Sequence, residues 1–185
     1  MKTILHFLDR ISNWKSLLLF LLLYMIFPGF ILKNAEAKIN ELSGSSIGVI
    51  DLTFSFNPAK TLGMVAAYSE SARDYYSMIE MTADVAYPFI YACLFGIVLT
   101  LLYHSTSYYK VAILPFCAMM FDYLENVTII TLLKTYPQQS ETVATFCEIF
   151  KGLKWLCFGM IILLILVGLV RKLLVRFSSR ETQNG

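Results

Sequence analysis

Charge is what this sequence is short of. Only 15% of its 185 residues are Asp, Glu, Lys or Arg, where a soluble domain carries roughly a quarter. The shortage is concentrated in long stretches with no charge at all, which excludes an ordinary soluble domain and reads as bilayer spans. Histidine is scarcer still, with His6 and His104 alone. With no HExxH and no Cys/His ligand set, no metal site is expected. The four cysteines, Cys93, Cys117, Cys147 and Cys157, never stand at CxxC spacing, so the usual motif of a thiol oxidoreductase is missing. They read as small packing residues in apolar helices. A net charge of +2 with no basic patch interleaved with aromatics argues against a nucleic-acid partner. No Walker loop and no GxGxxG follows a strand, so no cofactor is named. Gly44-x-Ser46-x-Gly48 has the spacing of a serine-hydrolase elbow, but that motif needs a strand, a strained turn, a helix and a later histidine within reach. The only later one, His104, falls on the opposite side of the expected topology.

What is abundant is apolar: 57% of the chain. Four runs have the length of a span, at about 16–32, 85–103, 111–133 and 155–170. Pro28-Gly29 bends or ends the first. Trp14, Tyr103, Tyr108, Tyr109, Tyr136 and Trp155 fall at the expected interfaces, where amphipathic rings settle. Residues 1–15 carry Lys2, Arg10 and Lys15 among Ile4, Leu5, Phe7, Leu8 and Ile11, the pattern of an amphipathic surface helix. The expected fold is all-α: one membrane domain over 1–185, a four-helix transmembrane bundle with a small extracytoplasmic cap between the first two spans. Basic residues are denser in the short segments on the N-terminal side, which predicts both termini inside. Ala35-Glu36-Ala37 after the first run resembles a signal-cleavage site. The length of that run favours a retained helix.

Residues 34–83 form the one sizeable segment outside the spans. It is expected to open as a polar loop through Gly44-Ser45-Ser46-Ile47-Gly48. Ile50 to Phe56 alternates apolar and polar residues, the pattern of a half-buried strand. Asn57-Pro58 then reads as an N-cap followed by proline at the first helical position. Some fifty residues make a poor core alone, so the segment should lie on the mouth of the bundle. The tail after Phe177 is polar and expected to fray.

The strongest signal lies in the third span. Asp122, Glu125 and Asn126 stand at i, i+3 and i+4 and share a helix face. Asp122 is the twelfth residue of the run 111–133, which puts it near mid-bilayer. A carboxylate there costs about 2.5 to 3.5 kcal/mol on insertion scales, so the face should turn inward. Two such carboxyls resist ionising together unless a cation or donor is at hand. No Lys or Arg falls inside any predicted span, so no counter-ion is expected from within. The face is either a polar site for a ligand, ion or proton, or a hydrogen-bonded knot that joins helices. A second cluster, Asp84, Tyr87 and Tyr91, shares a face of the second span, with Arg73 and Tyr76 upstream. Arg73 is expected at the outer mouth, near Asp84 or the third-span acids. Asn126-Val127-Thr128 matches a glycosylation acceptor but lies within a span.

Phe54-Ser55-Phe56, Arg73 with Tyr76, Asp84 with Pro88 and Tyr91, and Asp122 with Glu125-Asn126 form a pattern that resembles small bacterial four-helix integral membrane proteins of no established activity. The resemblance covers most of the chain after the first span. It implies a bacterial inner membrane and favours Arg73, Tyr76, Asp84 and Tyr91 as site residues. The expected function is binding of a small ligand, proton or cation from the outer side. Asp122, Glu125 and Asn126 would form the floor, with Asp84, Tyr87, Tyr91 and Arg73 at the mouth. The alternatives are an embedded enzyme on a lipid-like substrate, with one carboxyl as acid and one as base, and a structural or assembly protein. The bilayer is the one partner expected outright; the sequence assigns no oligomeric state.

Overall fold

The computed structural model describes residues 2–104, 106 and 108–181, with side chains through Leu174 at the C-terminal end. Its regular elements are helices: α1 (Lys2–Ile11), α2 (Trp14–Ile26), a π-helical turn (Phe27–Leu32), α3 (Lys33–Ser43), α4 (Pro58–Ala67), α5 (Glu70–Met81), α6 (Ala83–Tyr103), a short 3-10 turn (Tyr109–Ile113), α7 (Leu114–Thr135) and α8 (Glu141–Glu181). Four stretches are long and apolar enough to cross a membrane: Trp14–Ser43, Glu70–Tyr103, Tyr109–Thr135 and Glu141–Leu174. The protein is therefore an all-α membrane protein built as a four-helix bundle.

Local chemistry sets the breaks. Asn13 caps α2 by accepting from the backbone N–H groups of Lys15 and Ser16, which turns the chain out of α1. Pro28 and Gly29 do not end the first helix. They are absorbed in the π-helical turn, and the helix runs on through α3 to Gly44, whose φ of 68° makes a left-handed cap. The expected polar loop thus starts only at Gly44, and Ala35-Glu36-Ala37 lies within α3, with Ala35 buried. Asn57 does cap α4, accepting from Ala59 N–H, with Pro58 at the first position.

The expected strand at Ile50–Phe56 is not formed, and no strand occurs among the described residues. The backbone N–H groups there are spent on turns (Thr53 to Ile50, Ser55 to Thr53) and on the Tyr76 hydroxyl, which accepts from Ile50 at 2.9 Å. Phe56 sits at φ 44°, outside the strand region. The alternation arises differently: Ile50 is buried while Leu52, Phe54 and Phe56 lie exposed.

Two hydrophobic cores result. One, at the end that carries both termini, gathers Leu5 and Leu8 of α1 with Leu99 and Tyr103 of α6, Ala118 of α7 and Ile161 of α8. The amphipathic head is thus docked on the bundle: a Cβ on Gly96 would stand 2.8 Å from Leu8. At the same end Gly168 of α8 lets Leu102 and Tyr103 of α6 approach, and Lys172 Nζ donates to Leu101 O. The second core lies at the opposite, cap end. It joins Ile39, Val65, Tyr68 and Tyr76 to Ile129 and Leu132 of α7 and to Ala144 and Cys147 of α8. α7 and α8 run through both cores; α8 is helical through Glu181, past the point where the tail was expected to fray, and residues 182–185 lie outside the described ones. α2 is peripheral. None of its residues is buried, and Leu18, Leu19, Leu22 and Met25 point outward, as a lipid-facing helix requires.

Candidate functional site

Between the two cores lies a polar layer, and proline builds its first element. Pro88 has no N–H, so the carbonyl of Asp84, four residues earlier in α6, loses its helical partner. Asn126 of α7 supplies the replacement. Its Nδ2 donates to Asp84 O at 3.0 Å and to Asp84 Oδ2 at 2.9 Å. One amide side chain thus repairs the helix and fixes the carboxyl of a residue only 6% exposed. Among the described residues, Asp84 Oδ1 has no protein hydrogen-bond donor.

One helical turn along α7 the acids meet a cation. Lys154 of α8 places Nζ 3.2 Å from Asp122 Oδ1 and 2.6 Å from Glu125 Oε2. Tyr91 of α6 donates to Asp122 Oδ2 at 2.9 Å. Lys154, Asp122 and Glu125 are all buried. Taking such ions from water costs several kcal/mol each, so each depends on the others. The layer is nonetheless unbalanced. Glu80 of α5 is buried within electrostatic reach of Asp51, Asp84, Asp122 and Glu125, while the ammonium buried among them is Lys154. Beyond the spans, burial and the charge of Asp51 push the Tyr68 phenol above its usual range. It therefore remains a donor, to Gly48 O at 2.8 Å.

Beside this layer is a cavity of about 410 Å³. Asp51, Asp84, Asp122 and Lys154 face it as polar groups; Tyr24, Tyr87, Tyr91, Trp155 and Phe158 supply aromatic walls; Lys33 and Glu36 of α3 stand at its cap end. The rings pack on one another, Tyr87 on Tyr24 at 5.8 Å and Tyr91 on Phe158 at 4.8 Å between centroids, so the walls are held by offset and edge contacts.

The residues singled out from the sequence divide into three groups. Asp84, Tyr76, Tyr87, Tyr91 and Asp122 line the cavity. Glu125 and Asn126 do not: they stand behind its wall, Glu125 on Lys154 and Asn126 on Asp84. Of the expected floor, Asp122 lines the cavity, and Tyr91 stands beside it as its donor. Arg73 belongs to neither place. It caps α4 by donating to Tyr68 O, reaches Val65 O at 3.4 Å, and lies 4.0 Å above the Tyr136 ring. With two carbonyls and a ring to satisfy it in the cap, it is not drawn to the acids. Tyr76 is fixed by donating to Asp51 Oδ1 at 2.8 Å.

The counter-ion that no predicted span contains comes from α8. Lys151 and Lys154 fall before the fourth predicted span in the sequence, yet both are buried in α8. Lys151 Nζ donates to Glu148 Oε1 at 2.8 Å and to Thr53 O at 3.2 Å, and Thr61 also binds that carboxylate, so this pair ties the cap to α8. A signal existed: Glu148, Lys151 and Lys154 recur every third residue, one charged stripe on a helix face. Asp51 and Glu80 had none, since each reads as an ordinary surface acid. Asp122 stands midway along the stretch Tyr109–Thr135, and its partner Lys154 is 17 residues, roughly 25 Å of helix, from Arg171. Among the described residues no group of three or more Asp, Glu, His or Cys side chains has the arrangement to hold a metal ion. Compared with models of known protein families, with curated proteins and with solved structures, the chain matches none.

Proposed function

We propose that the protein is a multi-pass protein of a bacterial inner membrane that binds a small organic cation in this cavity, open towards the outer side. The observation that carries the reading is Asp84: a residue only 6% exposed, lining a cavity walled by tyrosine, tryptophan and phenylalanine, with one carboxylate oxygen held by Asn126 and the other, Oδ1, given no protein donor among the described residues. Aromatic faces attract ammonium groups through the ring quadrupole, by up to about 2 kcal/mol when desolvated. An excess of carboxyls over ammonium groups favours the same charge. A bare metal ion would want several oxygens converging on one point, which this arrangement does not offer. A structural role accompanies it: Lys154, which also faces the cavity, pairs with Glu125 behind the wall and so links α8 to α7. The test is calorimetric titration of the purified full chain with tetramethylammonium chloride. Saturable heat above that of sodium chloride is expected; identical heats would end the proposal.

The orientation belongs to the same reading. α1, the α6 end and the α8 end share one side, where Asp9 lies 4.0 Å from His104. The basic residues of that side are Lys2, Arg10, Lys15, Lys110, Arg171, Lys172, Arg176 and Arg180. Lys151 and Lys154 no longer count for the other side, because they are buried in ion pairs. The remaining contrast in loop charge supports an orientation with both termini in the cytoplasm. Cysteine-accessibility labelling should modify Ser45→Cys from outside in intact cells and a C-terminal cysteine only after lysis. Labelling of both from one side would reverse it.

A further inference from the structure

We propose that the cation is the ammonium headgroup of a membrane amphiphile, which enters the cavity sideways from the cap-side leaflet between α2 and α8. This rests on the organic-cation reading above and adds the substrate class and the route. The helix packing supplies the route. α2 packs on α6, and α8 packs on α6 and α7, but α2 and α8 scarcely touch. Yet the cavity is walled on one side by Tyr24, Pro28 and Leu32 of the first helix and on the other by Trp155 and Phe158 of α8. The wall between these helices is therefore made by side chains reaching across a gap, and the exposed apolar residues of α2 suit lipid beyond it.

Depth agrees with the route. Trp14 marks one interface. Tyr24 is ten residues further, about 15 Å along the helix, and Lys33 is nineteen, about 28 Å. The cavity thus spans the cap-side half of a hydrocarbon core roughly 30 Å thick. A soluble cation would need an aqueous mouth at Lys33; an amphiphile already has its headgroup at the top of this range and its chains alongside α2. The loop beside the gap is suited to that surface. Leu52 lines the cavity, and Phe54 packs on Trp155 at 4.6 Å while remaining exposed. Exposed apolar side chains next to a tryptophan are what an interfacial loop presents to acyl chains. The ammonium would lie on Asp84 Oδ1 among the tyrosine rings, with Lys33 at the rim, where an amphiphile's phosphate would be.

The test is native mass spectrometry of the full chain released from neutral detergent containing equal amounts of phosphatidylethanolamine and phosphatidylglycerol, which differ in the ammonium group. Retention of phosphatidylethanolamine at least tenfold above phosphatidylglycerol is expected. Tetramethylammonium should displace the first lipid and leave the second. Asp84→Asn, nearly isosteric and still able to accept from Asn126, should bring the two lipids level. Tetramethylammonium binding without any lipid preference would overturn the lateral route and leave the organic-cation reading standing. Equal preference in parent and Asp84→Asn, with no displacement by tetramethylammonium, would overturn it too, since the headgroup would then sit elsewhere. No binding of either probe would remove both readings.

Discussion

Lys154→Met is expected to lower folding stability by about 3 to 5 kcal/mol, the cost of leaving a buried partner charge uncompensated. The side chain is buried between Asp122 and Glu125, 3.2 and 2.6 Å from their oxygens. Methionine fills nearly the same volume, so packing is retained and the loss is electrostatic. In detergent this should appear as a large fall in the apparent melting temperature relative to the parent. Lys154→Met combined with Glu125→Gln should recover part of it, because one of the two orphaned carboxylates becomes neutral. Lys154→Met alone melting with the parent would mean that the three groups do not depend on one another. The contrast with Lys134 sets the scale: its pair with Asp74 is half-exposed, and such surface pairs contribute only about 0 to 1 kcal/mol.

The second large effect concerns ligand and not folding. Asp84→Asn is expected to weaken tetramethylammonium binding by roughly ten- to a hundredfold, the range that corresponds to about 1.5 to 3 kcal/mol for a contact to a charged group. Its side chain faces the cavity with one oxygen undonated, and asparagine keeps the acceptor that Asn126 needs. Glu125→Gln should shift binding far less, because Glu125 lies behind the wall and touches Lys154. Its effect should fall on melting temperature. Calorimetric titration and thermal melts of the two variants, side by side, separate the roles. Binding lost in Glu125→Gln and kept in Asp84→Asn would exchange the assignments given to the two acids.

The bundle was legible because spans announce themselves by length and composition, and no tertiary detail is needed to read Leu17 to Ile26 or Ile161 to Val170. The helical face of Asp122, Glu125 and Asn126 was legible for a similar reason, as a local periodicity. What periodicity does not carry is the partner across the gap. Asn126 and Asp84 are 42 residues apart, and Lys154 and Asp122 are 32 apart. The pairing of Pro88 with Asn126, a missing donor and its substitute, appears only once two helices are laid together. Arg73 precedes the second span and carries the right charge for the acids, but nothing local in the sequence shows that carbonyls and a tyrosine ring of the cap satisfy it first. The folded chain supplies the acids' cation from α8, with a lysine whose neighbours in sequence look like a loop. Ile50 to Phe56 failed for a different reason. Alternation reports two faces, but one of these faces is offered to the surroundings by Leu52, Phe54 and Phe56, with no neighbouring strand to pair.

The separation of Lys154 from Arg171 along one unbroken helix has a consequence for the membrane itself. With roughly 25 Å between the two charged levels, the helix is a ruler slightly shorter than an average hydrocarbon core. In a bilayer of thin leaflets the polar layer stands at the headgroups and the cavity is wetted from the side. In a thicker one the same layer is drawn below the headgroups, and the bilayer must thin around the protein or the helices stay upright, at a cost of fractions of a kcal/mol per Å. Acyl-chain length therefore sets how much water the acids of this layer meet, without any change in a single residue.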